Sequence, residues 1–203
     1  MKKLFLLLPV LFLFSFTVNN TGLTKKEKKF AAKYLKETHK GLEQAISGLT
    51  AAQMDFKPAA DKWSIKECVY HLALSETNLW AWIDGVIKAP ANPEKRSAIK
   101  ATDAQVMAGL SDRTNKVKTM EPFEPKNAKW NTVGAALADL TSARVAHASY
   151  MKTTAEDLRN HVAPETPLGA MDAYQLILFM SAHTTRHTKQ IEEIKADANF
   201  PKN

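Results

Sequence analysis

Apolar residues recur at intervals of three and four positions along four long stretches of the chain. This spacing is typical of amphipathic helices that bury one face. The stretches cover residues 24–49, 64–89, 133–161 and 171–195. No segment shows the alternation of apolar and polar residues that is typical of a strand. The pattern predicts an all-α fold, an up-down type four-helix bundle with one short extra helix.

Local signals indicate two of the helix starts. Thr24 with Glu27, and Ser64 with Glu67, have the spacing of capping boxes, which satisfy free backbone N–H groups of the first turn. Gly48 fits the end of the first helix.

Two connectors carry weaker patterns. Residues 50–62 contain a proline and several polar residues, which predicts an ordered loop. Residues 103–120 have a broken apolar pattern, interrupted by Gly109. We interpret them as the short extra helix beside the bundle.

The first twenty residues have the pattern of a secretory signal peptide. Lys2 and Lys3 precede an apolar run, residues 4–16, which is too short to span a bilayer. Cleavage after residues 1–20 would leave residues 21–203 as one bundle domain with a sizeable core. We therefore expect an exported protein, periplasmic or extracellular, without a stable membrane anchor after cleavage. An uncleaved anchor is the alternative.

Charge and cysteine content exclude some classes of protein. The formal net charge is +7, and part of the excess lies in Lys25, Lys26, Lys28 and Lys29. Nucleic-acid binding would need a larger basic patch with aromatic residues, so we expect no nucleic-acid partner. The lysines are interpreted as a solvated face, with no more than a hint of an acidic partner or surface. Cys68 is the single cysteine, which excludes an internal disulfide. It lies three residues before His71, a spacing compatible with a shared metal, but its place just after the Ser64 cap favours a buried structural thiol.

The candidate chemistry lies in the last helix, where His183 and His187 are four residues apart. Side chains at that spacing share a helix face, so the two imidazoles can converge on one ion. The alternative is a pair of core histidines held by hydrogen bonds. A stable metal site usually needs three or more protein ligands. His71, at the edge of the apolar stripe of the second helix, is the third candidate, because bundle sites form between facing helices.

Three neutral imidazoles would leave coordination positions for water or substrate, which is typical of catalytic zinc. Nickel and ferrous iron also accept imidazole, so zinc is expected without being selected. Such an ion would acidify a water or thiol and polarise a substrate oxygen. Thr184 stands where a zincin has its glutamate, so the built-in general base of that motif is absent.

Three further polar residues are weaker candidates. Arg144 and His147, on the third long helix, either point inward or flank the apolar stripe, and we expect them to flank it. Glu76 is expected on the far side of its stripe from His71, so we discount it as a base at the metal.

Four other residues receive structural interpretations. Trp80 and Trp82 can line the mouth of a pocket, although packing is the simpler interpretation for both. His39 and His161 are expected at the surface near helix ends.

Several short motifs, taken in order, resemble the DinB-like superfamily. They are Leu49-Thr50 to Phe56, then Lys62-Trp63-Ser64-Ile65-Lys66-Glu67, then His71-Leu72, and then His183-x-x-x-His187-x-x-Gln190-Ile191. The resemblance covers essentially the whole chain after the predicted signal peptide.

This resemblance implies a four-helix bundle, often a homodimer, that binds a divalent metal through three histidines. The matching residues here are His71, His183 and His187, with Gln190 as a structural residue or a support for a ligand. Family members include bacillithiol S-transferases and the mycothiol-dependent maleylpyruvate isomerase, in which the metal activates a small thiol. Those relatives are cytoplasmic, whereas this chain is predicted to be exported.

Two functions stay open at this stage. The first is an exported metal-dependent enzyme, a hydrolase or a thiol S-transferase, that acts on a small-molecule substrate. The second is a non-enzymatic metal- or ligand-binding bundle, which a closed fourth protein ligand such as His147 would favour. A third, weaker interpretation is an interaction module whose histidines bind nothing. The sequence does not specify the substrate.

Overall fold

The structure is a computed structural model that describes residues 22–114 and 117–202. It contains the α-helices α1 (Lys25–Ile46), α2 (Ala51–Asp55), α3 (Ile65–Lys88), α4 (Asp103–Ser111), α5 (Val133–Thr153) and α6 (Ala173–Lys195). Short 3-10 turns lie at Pro93–Ala98, Glu121–Phe123, Pro125–Asn127 and Leu158–Asn160. No helix in these described ranges is long and apolar enough to cross a membrane. The predicted signal peptide lies outside them.

The four long helices pack side by side, which confirms the predicted bundle. Helix α6 packs against α1 and α3, and α5 packs against the same two helices. The first two long helices, α1 and α3, therefore stand on one diagonal of the bundle. The last two, α5 and α6, stand on the other diagonal. Helix α4 packs against α6 as the short extra helix.

The helix starts follow the local sequence. Capping boxes form at Thr24 with Glu27 and at Ser64 with Glu67, as predicted. The same reciprocal arrangement opens α2, α4 and α6. Gly48 has a φ of 74° just after the end of α1, a conformation that glycine adopts without steric strain.

The predictions for two connectors between the long helices were wrong. The predicted loop at residues 50–62 contains the helix α2, because Thr50 caps it through the backbone N–H of Gln53. The extra helix ends at Ser111 and does not reach residue 120, because the Asp112 carboxylate accepts a hydrogen bond from the backbone N–H of Thr114 and turns the chain.

The third long helix was also predicted too long. It ends at Thr153 and not at His161, because the backbone of Thr154 is extended and its hydroxyl accepts a hydrogen bond from the Glu156 N–H. The chain then forms the strand β1 (Val162–Ala163), which pairs antiparallel with β2 (Met171–Asp172). The sequence did not indicate these strands because two residues are too short to show an alternating pattern. Helix α6 accordingly begins after Met171, with Asp172 as its N-cap.

A layer of buried polar residues divides the core into two apolar clusters. One cluster contains Leu35, Ile83, Met151 and Ile177, and the other contains Leu42, Val69, Leu140 and Ile191. Most buried polar residues of the long helices fall between these clusters: Thr38 and His39 on α1, His71, Ser75 and Glu76 on α3, Arg144 and His147 on α5, and Ser181, Thr184 and His187 on α6. Buried polar groups need partners, so each of them has to be explained by its contacts. The residues of this polar layer are therefore the candidates for a functional site.

Candidate metal centre

Three histidine side chains meet between α3 and α6. The Nε2 atom of His183 lies 3.1 Å from the Nε2 atoms of both His71 and His187. One nitrogen from each ring lies within 4.8 Å of the others. The structure thus brings together the three histidines that the sequence singled out.

The partners of the outer nitrogens fix the tautomers of two of these rings. The Nδ1 atom of His71 lies 2.7 Å from the backbone oxygen of Phe123, which can only accept, so Nδ1 carries the proton. The Nδ1 atom of His187 lies 2.9 Å from Oε1 of Gln190. Arg113 donates to the same Oε1 atom at 3.2 Å, which confirms that this atom is the oxygen and that His187 donates to it.

The Nε2 atoms of His71 and His187 therefore both point lone pairs at His183. A single Nε2–H on His183 can satisfy one of these two contacts. At least one of the two lone pairs thus receives no N–H from His183, and a cation shared by the three rings would replace the missing donor. Zn–N bonds of about 2.0–2.1 Å at tetrahedral angles place ligand nitrogens about 3.3 Å apart. The donor set and its spacing fit a divalent ion.

Burial keeps the three rings neutral. It lowers the pKa of His71 to about 4, against the hydrogen bond to Phe123, which raises it. Burial also lowers the pKa of His183 and His187 well below the usual value, and the neighbouring imidazoles lower it further. Neutral imidazole is the form that binds metals. The cluster is therefore in its metal-binding form at neutral pH.

Trp63 and Ser75 lie beside the histidine cluster, and one of the three histidines is partly exposed. Trp63 stacks beside His187, with ring centroids 6.0 Å apart and planes at 24°, and lies 4.9 Å from the ring of His71. The hydroxyl of Ser75 lies 3.5 Å from Nε2 of His71. His71 and His187 are buried, whereas His183 keeps some exposure.

A second polar cluster lies in the same layer and is built from charges. Glu76 accepts from Arg144 at 2.7 Å through Oε2 and from His147 at 2.7 Å through Oε1. Arg144 also donates to the Thr184 hydroxyl at 2.6 Å. Trp80 stacks on His147, with centroids 3.8 Å apart. Despite burial, which raises it, the pKa of Glu76 lies below its usual value because Arg144 and His147 stabilise the carboxylate.

This charged cluster overturns several predictions. Arg144 and His147 point inward and are 2% and 7% exposed, so they do not flank the stripe. Glu76, which was discounted from the sequence, is buried and contacts both side chains. His39 is also buried, where the expected location was the surface, and its Nε2 lies 2.9 Å from the Thr141 hydroxyl.

The other candidates have mixed outcomes. Cys68 is fully buried, as expected for a structural thiol, and burial raises the pKa of that thiol. Trp80 packs on His147, as expected, whereas Trp82 is 37% exposed and lines a surface pocket. Gln190 contacts His187 directly. His161, expected at the surface, is partly buried.

Comparisons with known proteins agree with this arrangement. The family profile described as the DinB superfamily matches residues 34–191. The chain is 25% identical over 151 residues to YuaE of Bacillus subtilis (strain 168), an uncharacterized protein, a match that covers 74% of this chain and 88% of the relative. The solved structure of YfiT from Bacillus subtilis, described as a probable metal-dependent hydrolase with an unusual four-helix bundle topology, superposes with a TM-score of 0.60. That match covers 89% of this chain and 92% of YfiT at 16% sequence identity, so the likeness is one of fold.

Proposed function

This chain belongs to the DinB superfamily, and we propose on that premise that it is an exported metal-dependent enzyme. In this proposal His71, His183 and His187 bind one divalent ion, with zinc as the expected metal. The reaction is hydrolysis of a small-molecule substrate. The description of YfiT as a probable metal-dependent hydrolase supports the reaction class.

One observation carries the proposal. Two imidazole lone pairs, held by the hydrogen bonds of His71 to Phe123 and of His187 to Gln190, converge on Nε2 of His183 at 3.1 Å. Without a cation, His183 can donate to only one of these two lone pairs, and the Ser75 hydroxyl lies 3.5 Å from Nε2 of His71. Buried acceptors without a partner destabilise a protein by about 1–3 kcal/mol each. A function that uses the cation explains why this arrangement is built into the core.

The residues of the chain supply orientation and access. Phe123 and Gln190 orient the rings of His71 and His187, and Trp63 covers one side of them and excludes water there. A divalent ion, when bound, supplies Lewis acidity, which acidifies water and polarises a substrate oxygen. Substrate reaches the cluster from the partly exposed side of His183.

The non-enzymatic alternative receives less support. It would be favoured by a fourth protein ligand that closes the site, and His147 was the candidate. His147 is held by Glu76 at 2.7 Å and by the stacked ring of Trp80. Within the described ranges, the possible metal-binding group contains three residues, and His147 is not among them. Three ligands leave coordination positions for chemistry.

Elemental analysis tests the metal site directly. The purified protein should contain near-stoichiometric metal, and a variant with His71, His183 and His187 changed to Ala should contain none. His161→Ala, which removes a histidine outside the cluster, serves as the matched control and should keep its metal. Circular dichroism checks that each variant folds. No metal in the parent after reconstitution with zinc, nickel and iron would refute the proposal.

Activity assays then separate the reaction classes. We expect chelator-sensitive hydrolysis of chromogenic esters, amides or phosphoesters, and restoration of activity by added metal. Metal-dependent consumption of a small thiol without hydrolysis would favour S-transfer instead. A metal-loaded protein that performs neither reaction would favour the binding-protein alternative.

The proposal also includes export of the protein and its assembly as a homodimer. The predicted signal peptide at residues 1–20 supports export, and the family resemblance supports a homodimer. Cell fractionation with N-terminal sequencing tests the first, and light scattering tests the second. A cytoplasmic protein with an intact N-terminus would contradict export and leave the metal site as proposed.

A further inference from the structure

Five lysines of α1 form a stripe along one exposed face of the bundle. At about 100° per residue they fall within an arc about 80° wide, and at about 1.5 Å per residue they extend over about 22 Å. All five are exposed: Lys25, Lys29, Lys33, Lys36 and Lys40. We refer to these five residues as the lysine stripe.

The lysine stripe is largely without neutralising partners. Lys33 lies 3.5 Å from Glu37, one turn further along the helix. The other four lysines form no ion pair with any residue in the described ranges. Exposed lysines with acidic partners are common elsewhere on this surface, for example Lys57 with Glu67 at 2.7 Å. The stripe is therefore a concentrated positive surface.

Helix α5 extends the positive charge into a groove. Lys152 faces α1 across an open groove of about 660 Å³, lined by the lysines Lys25, Lys28, Lys29, Lys33, Lys36 and Lys152 together with Ala32 and Glu37. A concave surface lined mainly by one sign of charge, here six lysines against Glu37, concentrates counter-ions. The surface thus favours an extended anionic partner over a single small anion.

We propose that the lysine stripe binds the surface of an anionic phospholipid bilayer. The lysines lie on one straight face, so all five can contact a plane at the same time. Phe30, 42% exposed and stacked on Tyr34 at 5.9 Å, lies about 60° beyond the edge of the stripe, so the stripe itself presents lysines alone. Charge complementarity favours a bilayer surface.

The order of the chain supports the same partner. The apolar run at residues 4–16 ends nine residues before Lys25. A fully extended chain covers at most about 32 Å over that distance. On the proposed export the run contacts the membrane, and Lys25, the first residue of the stripe, then lies within that distance of the lipid surface. Nucleic acid is less favoured, because the groove lining contains no aromatic residue on which bases could stack.

The test compares two variants with the same change of charge. One replaces three unpaired lysines of the stripe, Lys29→Gln, Lys36→Gln and Lys40→Gln. The control replaces three exposed lysines outside α1, Lys95→Gln, Lys100→Gln and Lys118→Gln. Glutamine has a helix propensity close to that of lysine, so the fold should persist in both. Each protein is expressed from the full-length sequence and purified. Mass spectrometry of its N-terminus then shows whether residues 1–20 have been removed.

Binding is measured by co-sedimentation with two kinds of vesicle, phosphatidylcholine alone and phosphatidylcholine with phosphatidylglycerol. The ratio of the two partition coefficients isolates the charge contribution, because any retained apolar run binds both. Each lysine near an anionic surface contributes about a fivefold factor. We expect the parent to prefer the anionic vesicles, the stripe variant to lose roughly 100-fold of that preference, and the control to keep it.

Three outcomes would overturn the proposal. The parent could show no preference for anionic vesicles. The control could lose as much preference as the stripe variant, which would indicate an effect of net charge alone. Duplex DNA could compete fully with the vesicles at physiological salt, which would assign the stripe to nucleic acid. The proposal does not depend on the metal site, so metal content should be equal in all three proteins.

Discussion

The polar layer of the bundle contains two clusters, which differ in charge and in the partners of their buried polar groups. In the first, His71, His183 and His187 are neutral, and at most one Nε2–H serves the two close contacts among them. In the second, Glu76 is ionised, Arg144 balances its charge, and His147 lies within hydrogen-bond distance of the same carboxylate. The charge of the second cluster is thus balanced by protein groups, whereas the first cluster lacks a donor that a cation would replace.

This difference indicates that the charged cluster contributes mainly to stability and the histidine cluster mainly to function. A completed ion-pair network fixes the helices that contribute to it, and Arg144 alone connects α1, α3, α5 and α6. A cluster that lacks a cation contributes less to the metal-free fold. We therefore expect substitutions in the charged cluster to lower stability and substitutions in the histidine cluster to abolish metal binding.

The largest effect on stability is expected from Arg144→Met. The change leaves the ionised Glu76 buried without its main partner, and breaking a buried pair from one side destabilises by about 3–5 kcal/mol. Urea denaturation of the metal-free protein measures the loss. Adding Glu76→Gln to the same chain should recover part of it, because the unpaired charge is removed. A loss below about 1 kcal/mol would show that the pair is not the main support of the bundle.

Zinc should stabilise the parent by nearly as much. At free zinc a thousandfold above the dissociation constant, the free energy of unfolding should rise by about 4 kcal/mol. His183→Ala should remove this increase, whereas His147→Ala, in the charged cluster, should keep it while lowering the baseline stability. Thermal melts with zinc and with chelator measure both. An equal zinc response in the two variants would contradict the division of roles.

The two clusters should respond to acid in different pH ranges. The histidines of the metal-free protein have a lowered pKa in the folded state, so the unfolded state takes up protons first as the pH falls below the usual value of 6.5. Stability should therefore fall below pH 6.5, by up to about 1.4 kcal/mol per pH unit for each histidine. Glu76 also has a lowered pKa, and its contribution should be lost only below its usual value of 4.5.

Denaturation of the metal-free protein across pH 3–8 distinguishes the two ranges. The variant with His71, His183 and His187 changed to Ala should lose most of the upper range, to which His39 also contributes through its lowered pKa, and keep the lower range. Glu76→Gln should keep the upper range and lose part of the lower one, to which Glu27 also contributes through its lowered pKa. A single acid transition that neither variant alters would mean that other groups determine acid stability.

Local signals predicted much of the fold and the histidine cluster. Helix starts depend on residues three apart, as in Thr24 with Glu27, and His183 with His187 depends on residues four apart. His71 came from the family resemblance and from its place at the edge of a stripe. Its partner, the backbone oxygen of Phe123, lies in a connector 52 residues away, a distance at which no periodic pattern operates.

The charged cluster was missed although a signal was present. Glu76 lies four residues after Leu72 and three before Leu79, inside the apolar stripe of α3. Arg144 and His147 continue the same three-and-four spacing between Leu140 and Met151, and His39 does so between Leu35 and Leu42. A charged residue at an apolar position of the repeat indicates a buried partner on another helix. The pattern predicts burial, but the identity of the partner depends on the tertiary packing.

The smallest expected effect tests whether the two clusters are coupled. Arg144 donates to two threonine hydroxyls, Thr184 at 2.6 Å and Thr38 at 3.2 Å. Thr184 follows His183 on α6, whereas Thr38 lies on α1, which carries no histidine of the cluster. Changing either threonine to Val removes one hydroxyl acceptor of the same guanidinium and keeps the shape of the side chain.

If Arg144 fixes the position of α6 for metal binding, Thr184→Val should weaken zinc affinity about 10-fold, the lower end of the effect of residues that support ligands. Thr38→Val should leave zinc affinity unchanged at a similar loss of stability. Titration calorimetry gives the affinities, and the visible spectrum of the cobalt-substituted protein reports the ligand geometry, which a loss of stability alone does not alter. Equal affinities and spectra for the two variants would mean that the charged cluster supports the bundle without positioning the histidines, since the hydrogen bond to α6 would then have no effect on the site.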